Sequence, residues 1–235
     1  MLMNKVFIIV MLILVSSGNG LTEEKKLVPE KKEVTKDGIF KTYFKSGKLE
    51  SERYFKNGKL EGLFRTYYEN GNIRDEVTFK DGKYNGVEKR FHSNGQIEFE
   101  RILVNNQTSG TVLFYFEDGN LAKEIVNDKG GESGTIKSYF RGGGKHISFE
   151  GGFKGFRDDG ICKWYYKSGK IESIAKFKNG LPEKIATHYY EDGRIKQIDK
   201  FDKGWLVNSK KYDESSRIVS NQDFSHKEGE VLGLR

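Results

Sequence analysis

Along most of this chain, hydrophobic and polar residues alternate in segments of about seven to ten residues that are rich in Tyr, Phe, Ile, Val and Thr. A period of two is typical of β-strands with one buried face. Pairs such as Asn57-Gly58, Asn70-Gly71 and Asp81-Gly82 separate the segments. Such pairs accept the positive φ angles of a two-residue type I′ turn, so the sequence predicts consecutive β-hairpins joined by equally tight turns.

An aromatic residue recurs through these hairpins every 23 to 26 residues. The series is Tyr43, Tyr67, Phe91, Tyr115, Tyr139, Tyr165, Tyr189 and Tyr212. The corresponding units begin at Gly38, Gly62, Gly86, Gly110, Gly134, Gly160, Lys184 and about Val207. Each unit has a first turn shortly after the aromatic residue and a second turn near its end. A fixed period of this length is typical of repeat arrays, whose units stack on their neighbours. The predicted fold is therefore all-β, an elongated, twisted antiparallel sheet of about eight tandem β-hairpin repeats with a period of about 24 residues. A right-handed β-helix is the main alternative, but two-residue turns cannot connect parallel coils.

The turn at Asn70-Gly71 predicts the strand register. A two-residue loop there places Tyr68 opposite Ile73 and Arg65 opposite Glu76. Opposite charges across a ladder stabilise a sheet by about 0.2–1 kcal/mol per pair. The same two slots of other units hold further basic–acidic pairs: Lys41 with Glu52, Lys89 with Glu100, and Lys137 with Glu150.

The same alternation predicts one apolar and one amphipathic face. Tyr68, Ile73 and Phe79 represent the apolar face, and the first tyrosine of each unit shares the other face with the charge pairs. In the sixth and seventh units Ile174 and Ile198 replace the acid. The charge ladder is therefore predicted to fade toward the C-terminus.

The fifth unit departs from the pattern. It gains two residues around Gly142-Gly143-Gly144-Lys145, and Gly151-Gly152 lies within a predicted strand. Glycine inside a strand often accompanies a bulge. The sequence therefore predicts a bulge or bend near the middle of the array.

The N-terminal segment predicts export. Lys5 precedes an unbroken apolar run, Val6–Val15, that is too short for a bilayer span and is followed by small residues. Residues 1–20 are thus predicted to be a signal peptide, with the mature chain beginning between Ser17 and Thr22. An uncleaved membrane anchor is the alternative. Residues 21–37 are a charged flexible spacer and residues 38–235 the repeat domain. The expected location is secreted, periplasmic or in the bacterial cell envelope, with no transmembrane segment in the mature chain.

Composition narrows the function classes. The chain has 41 Lys and Arg against 34 Asp and Glu, a net charge of +7, with the two signs interspersed. This balance is typical of a solvated surface and argues against nucleic-acid binding. Cys162 is the only cysteine, so no intrachain disulfide can form. Phe64 and Val112 hold its slot in other units, which predicts a small buried hydrophobe and not a nucleophile.

The residues give no sign of catalysis or cofactor binding. His92, His146, His188 and His226 have no cysteine or carboxylate at metal-ligand spacing. Gly142-Gly143-Gly144-Lys145 lacks the Ser or Thr and the following helix of a phosphate-binding loop. The acidic residues of the ladder recur together with basic partners, as cross-strand pairs do. The sequence predicts a protein without enzymatic activity, metal or cofactor.

Two stretches show the repeat most clearly. Tyr43–Leu49 (Tyr-Phe-Lys-Ser-Gly-Lys-Leu) is followed by Tyr54–Lys59, and Tyr165–Ile171 by Phe177–Gly180. This pattern resembles the MORN repeat variant, whose arrays are grouped as the YwqK-type antitoxin family, and it extends over roughly residues 38 to 228. The resemblance implies an antiparallel hairpin array used for binding and no catalytic residues. The antitoxin name implies a toxin as the partner.

The predicted function is an exported, non-enzymatic scaffold for protein–protein or envelope interactions. Because neighbouring units are nearly identical, specificity is expected where the repeat is broken, and tryptophan is enriched at interaction hot spots. The candidate binding residues are therefore Trp164, Tyr165, Tyr166 and Trp205. Internal packing is the alternative role for Trp164. Two alternative functions are a cell-wall or glycan-binding repeat protein and an antitoxin or immunity protein that neutralises a toxin.

Overall fold

The structure, a computed structural model, describes residues 37–128, 131–142 and 144–224. These residues form one sheet of eighteen antiparallel strands and contain no helix, hence none that could cross a membrane. The strands are β1 (Gly38–Tyr43), β2 (Leu49–Lys56), β3 (Lys59–Leu60), β4 (Gly62–Tyr67), β5 (Ile73–Lys80), β6 (Lys83–Phe91), β7 (Ile97–Val104), β8 (Gln107–Tyr115), β9 (Leu121–Asn127), β10 (Ser133–Tyr139), β11 (Ile147–Lys154), β12 (Arg157–Asp158), β13 (Gly160–Tyr165), β14 (Ile171–Lys178), β15 (Leu181–Tyr189), β16 (Ile195–Asp202), β17 (Trp205–Tyr212) and β18 (Ile218–Asp223). The predicted signal peptide and nearly all of the predicted spacer lie outside the described residues.

Consecutive strands pair with one another along the whole sheet. A single residue separates the short strand β3 from β4, and another separates the short strand β12 from β13. As a result β2 pairs with both β3 and β4, and β11 pairs with both β12 and β13. Among the described residues, β1 and β18 each pair on one side. The sheet is therefore an open antiparallel meander, which confirms the predicted all-β hairpin array.

Two kinds of turn alternate along the meander. At the second turn of the first unit, Asn57 and Gly58 both have positive φ (50° and 71°), as a type I′ turn requires. At the first turn of the second unit, the positive φ belongs to Gly71 (92°) and not to Asn70. There the Tyr68 amide donates to the Asn72 carbonyl at 2.8 Å, and the Gly71 amide to the Tyr68 carbonyl at 2.9 Å. This is a three-residue loop, a type I turn followed by a left-handed glycine. The prediction of a type I′ turn here is therefore wrong. The first turns of the other units show the same bonds except in the fifth unit, where a longer loop leads from Phe140 to His146.

The predicted register is correct away from the turn. The three-residue loop places Ile73 opposite Tyr67, so the predicted pairing of Ile73 with Tyr68 is wrong. A β-bulge then adds one residue to β5 and restores the pairing of Arg65 with Glu76. The longer loop and the bulge cancel, and for this reason the prediction for the charged pair is confirmed.

Alternation along the strands gives the sheet a buried inner face. Its core consists of three hydrophobic clusters, whose buried members are Phe64, Val77, Phe79 and Leu103; Val112, Ile125 and Phe153; and Phe149, Cys162, Ala175, Phe177 and Ala186. Cys162 is fully buried, as expected for a small hydrophobe. The opposite side, which carries the charge pairs, is the outer face.

The inner face is more polar than predicted. Asp75 is 4% exposed, and its carboxylate accepts hydrogen bonds from Thr66 Oγ1 (2.7 Å), Arg74 Nε (2.9 Å) and Arg90 Nε (2.8 Å). Burial favours the neutral acid, but these donors outweigh burial and lower the pKa of Asp75. Part of the inner face is thus held by a satisfied ionic network and not by apolar contacts.

Close packing explains the glycines of the fifth unit, and the edge of β11 that faces β12 and β13 is irregular beside them. There the partner changes from Lys163, opposite Glu150, to Asp158, opposite Phe153, which leaves extra residues on that side as in the predicted bulge. Gly151 and Gly152 of β11 pair regularly with Ile136 and Thr135 of β10. A Cβ atom on Gly151 would lie 2.7 Å from Cys162 Sγ, and one on Gly152 would lie 2.4 Å from a backbone oxygen of the following strand segment. Both positions therefore require glycine because the neighbouring strand approaches too closely for a side chain. Gly143 lies outside the described residues.

Candidate interaction surface

One row of side chains crosses the outer face, with one residue from each strand except β3 and β12. We call it the outer row: Lys41, Glu52, Arg65, Glu76, Lys89, Glu100, Leu113, Glu124, Lys137, Glu150, Lys163, Ile174, Thr187, Ile198, Lys210 and Asn221. Charges of opposite sign alternate as far as Lys163, with Leu113 as the exception. The cross-strand pairs predicted from the sequence are thus confirmed.

The charged part of the outer row supplies its own counter-charges. Arg65 Nε lies 2.8 Å from Glu76 Oε2 in the same hairpin, and Arg65 Nη1 lies 3.6 Å from Glu52 Oε1 in the preceding hairpin. Lys163 Nζ lies 2.9 Å from Glu150 Oε1. Each partly exposed pair contributes roughly 0–1 kcal/mol. The main consequence is that this part of the surface has little unmatched charge to offer a partner.

The first tyrosine of a unit links it to the preceding unit through the outer row. Its hydroxyl donates to the glutamate of that unit in four places: Tyr67 to Glu52 (2.8 Å), Tyr115 to Glu100 (2.9 Å), Tyr139 to Glu124 (3.3 Å) and Tyr165 to Glu150 (2.7 Å). Partial burial and this hydrogen bond raise the pKa of Tyr165 to about 12. The same bond, followed by that from Lys163, lowers the pKa of Glu150. The recurring tyrosine is thus part of the architecture.

The second aromatic of a unit links it to the following unit. The Tyr166 hydroxyl donates to the Tyr189 carbonyl at 2.7 Å, and Tyr68 and Tyr190 make equivalent bonds to Phe91 and Tyr212. Together the two aromatics hold neighbouring hairpins in a fixed relation. The hydroxyl groups of Tyr165 and Tyr166 therefore have structural partners in the array.

The structure separates the four binding residues predicted from the sequence. Trp164 is partly buried on the inner face, with its ring centroid 5.3 Å from that of Phe149 and 6.2 Å from that of Phe177. Tyr165 lies on the outer face. Trp205 begins β17 opposite Asp202, directly after a second turn and thus at the far end of the strands from Tyr166. These residues do not form one patch, and their role in binding stays a prediction.

A different group of side chains forms a continuous surface on strands β13 to β17. Four cross-strand pairs of the outer face join an isoleucine to a lysine: Ile161 with Lys176, Ile174 with Lys163, Ile185 with Lys200, and Ile198 with Lys210. We call these eight residues the isoleucine–lysine patch. Ile161 is 59% exposed and Ile185 is 50% exposed. The replacement of the acid by Ile174 and Ile198 was the sequence signal for this patch, and it was interpreted only as a fading ladder.

Two features of the described part of the chain concern metal binding and thiol reactivity. No group of His, Cys, Asp or Glu side chains there is arranged to hold a metal ion. Burial raises the pKa of the Cys162 thiol to about 12, so that the thiol is protonated at neutral pH. A shallow, open depression lies beside the second turns of the sixth and seventh units, and Lys178, Pro182 and Phe201 are among the residues that line it.

Solved structures that match this chain include three at low sequence identity. The Tc holotoxin pore of Photorhabdus luminescens with the mutation TccC3-D651A is 12% identical, with a TM-score of 0.23 over 80% of this chain and 11% of that chain. TcdB2-TccC3-Cdc42 is 10% identical, with a TM-score of 0.19 over 79% of this chain and 11% of that chain. TcdB2-TccC3 is also 10% identical, with a TM-score of 0.18 over 78% of this chain and 15% of that chain. The chain spans only a small part of these proteins, and TM-scores of this size do not establish a common fold.

No curated protein is significantly similar to the chain. A family model described as the MORN repeat variant matches residues 36–57, 60–81, 84–105, 109–126 and 158–179. These five matches correspond to the first four hairpin units and the sixth. The remaining units continue the same antiparallel pairing in the sheet. The finer grouping with YwqK-type antitoxins stays a prediction. The repeats of this array are thus those of the MORN repeat variant family.

Proposed function

We propose that this protein is an exported, non-enzymatic repeat scaffold that binds a protein partner at or outside the cell envelope. The observation that supports the proposal is a series of exposed aliphatic side chains on the outer face, at the second position of several units. The series is Ile39, Leu63, Val87, Ile161 and Ile185. Large apolar side chains repeated on one exposed face are typical of interaction surfaces. The match to MORN repeat variants supports the same class of function, a repeat scaffold for protein interaction.

The hydrogen bonds between units support a rigid surface. Tyr165 binds back to Glu150, and Tyr166 binds forward to the backbone of Tyr189, so the sixth hairpin is fixed to both neighbours. A surface that is ordered before binding loses less conformational entropy when the partner docks. The open sheet thus offers a preformed outer face.

The environment of Trp164 favours a protein partner over a glycan. Sugar rings stack on exposed aromatic faces, whereas Trp164 packs between Phe149 and Phe177 on the inner face. An antitoxin or immunity role is a special case of protein binding in which the partner is a toxin.

Export and partner capture test the proposal together. The full chain, expressed in its native host, is fractionated, and the N-terminus of the exported protein is sequenced. The expected N-terminus lies between Ser17 and Thr22, and Ile9→Asp, which interrupts the apolar run, should abolish export. Cross-linking of the envelope fraction should then recover a specific protein. An exported chain that begins at Met1, or a chain that cross-links to no protein and binds a glycan array instead, would contradict the proposal.

A further inference from the structure

The isoleucine–lysine patch differs from the rest of the outer face although the strands beneath it pair in the same way. In the outer row, Lys41, Lys89 and Lys137 are each opposite a glutamate within their own hairpin. In the sixth unit, the glutamate slot opposite Lys163 is occupied by Ile174. Since five hairpins form with glutamate in this slot, the sheet itself does not require isoleucine there. The change therefore points to a role at the surface.

The patch also has positive charge without counter-charge. Lys163 is paired with Glu150 at 2.9 Å and Lys176 with Glu183 at 3.1 Å. By contrast, Lys200 and Lys210 form no salt bridge with any described residue. A partner with carboxylates could supply the missing charges, and such pairs would both steer association and fix the orientation of the partner.

Geometry favours a helical partner segment. Neighbouring strands of a sheet lie about 4.8 Å apart, and one turn of an α-helix rises about 5.4 Å. A helix that crosses strands β13 to β16 would thus place roughly one turn over each strand. Aliphatic residues on one stripe of the helix would contact Ile161, Ile174, Ile185 and Ile198. An apolar sheet face is ordinarily covered by such a helix.

We propose that the isoleucine–lysine patch is the docking site for an acidic amphipathic helix of the protein partner, with its aliphatic stripe on the isoleucines and its carboxylates at Lys200 and Lys210. This inference rests on the proposed scaffold function and specifies where the partner binds and by which chemistry. The patch has no aromatic side chain on which a base or sugar ring could stack. A second copy of this chain would place lysines against lysines and is disfavoured by charge.

A synthetic peptide pair tests the chemistry. The first peptide is an 18-residue helix with leucines at i, i+3, i+4 and i+7 and with flanking glutamates, and the second has lysines in place of the glutamates. Fluorescence anisotropy should show binding of the glutamate peptide to the full-length protein, weakening as salt increases. The lysine peptide should bind at least tenfold more weakly. Equal binding of the two peptides, or binding of neither, would overturn the proposal.

A pair of variants tests the location. Ile174→Glu with Ile198→Glu restores the acid that Glu124 and Glu150 provide in other units, so the sheet should tolerate both changes. This double variant should bind the glutamate peptide at least tenfold more weakly than the unmodified protein. Leu113→Lys, which fills the remaining gap of the outer row outside the patch, is the matched control and should leave binding unchanged. Thermal melts check that all variants are folded, and unaltered peptide binding by the double variant would overturn the proposal.

Envelope cross-linking separates failure of this inference from failure of the proposed function. If the double variant captures the same envelope protein as the unmodified chain, the docking site is wrong while the scaffold function stands. If the unmodified chain captures no protein, the scaffold function fails. Binding to phosphatidylglycerol vesicles that is lost in the double variant, without peptide binding, would identify a membrane instead of a helix as the ligand and would overturn the proposal.

Discussion

Phe156 occupies a turn position at which glycine is the usual residue in this sheet. Gly58, Gly82, Gly180 and Gly204 hold the equivalent place, and all have positive φ. Phe156 adopts a φ of 64°, which is uncommon for a bulky side chain, and its ring is 55% exposed. A non-glycine residue in the left-handed region costs on the order of 1–3 kcal/mol. Because the side chain is largely exposed, its packing contacts offset little of this strain.

Replacing Phe156 by glycine should stabilise the protein. We expect Phe156→Gly to raise the free energy of unfolding by about 1 kcal/mol, less than the full strain because glycine also increases the entropy of the unfolded chain. Urea denaturation measures the change. The reverse substitution Gly82→Phe is the control and should destabilise the protein, because Gly82 has a φ of 79°. Steric clash would not contribute, since the nearest atom to an added Cβ is Lys59 Cβ at 3.8 Å. An unchanged or lowered stability of Phe156→Gly would contradict the strain argument.

Turn chemistry was predictable only where the sequence used the common residues. Asn57-Gly58 was correctly predicted as a type I′ turn because both residues favour positive φ. The turns at Asn105-Asn106 and Gly155-Phe156 were missed, since neither ends with glycine, although all four residues have positive φ. Residue type alone does not reveal a strained turn that the neighbouring strands impose.

The links between neighbouring hairpins belong to the scale of the strand pair. Tyr165 of β13 donates to Glu150 of β11, with a tyrosine pKa raised from 10.0 to about 12. In the unfolded chain the tyrosine ionises near pH 10. The stabilisation from this bond is thus complete below pH 10 and is lost as the pH rises toward 12. At low pH the bond is weakened when Glu150, whose pKa is lowered in the folded state, becomes protonated.

Removing one such link should change the pH dependence of stability. We expect Tyr165→Phe to lower the free energy of unfolding by about 1 kcal/mol at pH 7 and to make its decline between pH 10 and 12 shallower. Denaturation at several pH values measures both effects. Tyr189→Phe is the matched control, because Tyr189 faces the unit in which Ile174 replaces the glutamate, and it should not alter the alkaline slope. Identical slopes for the two variants would show that the Tyr165 bond does not contribute.

Pairing between the two strands of one hairpin was more predictable than side-chain contacts between neighbouring units. The pairing of Arg65 with Glu76 followed from the turn position, because the longer loop and the bulge compensate each other. The pairing of Asp75 with Arg90 between units was not foreseen. Alternation assigns Asp75 to the inner face, but nothing in the local pattern indicates that a charge buried there will meet three donors from three different positions.

At the scale of the whole molecule, the period predicted the fold and left the function open. Eight hairpins in one meander follow from the recurring turns and aromatics, whereas a binding site must differ from the repeat. Trp164 is the most conspicuous such difference in the sequence, but it lies on the inner face. The isoleucines at positions 174 and 198 interrupt the predicted ladder, but their place among lysines of four strands became apparent only once the strands were paired.

Site-specific photo-cross-linking in the native host tests the central claim most directly, namely that the outer face binds a protein partner at the isoleucine–lysine patch. A photoreactive amino acid is placed at Ile185 in the patch and, in a second variant, at Ile39, which has the same position in the first unit and is more exposed (70% against 50%). The account predicts an adduct with an envelope protein from position 185 and a clearly weaker one, or none, from position 39. Adducts from position 39 alone, equal adducts from both positions, or no adduct from position 185 would contradict it.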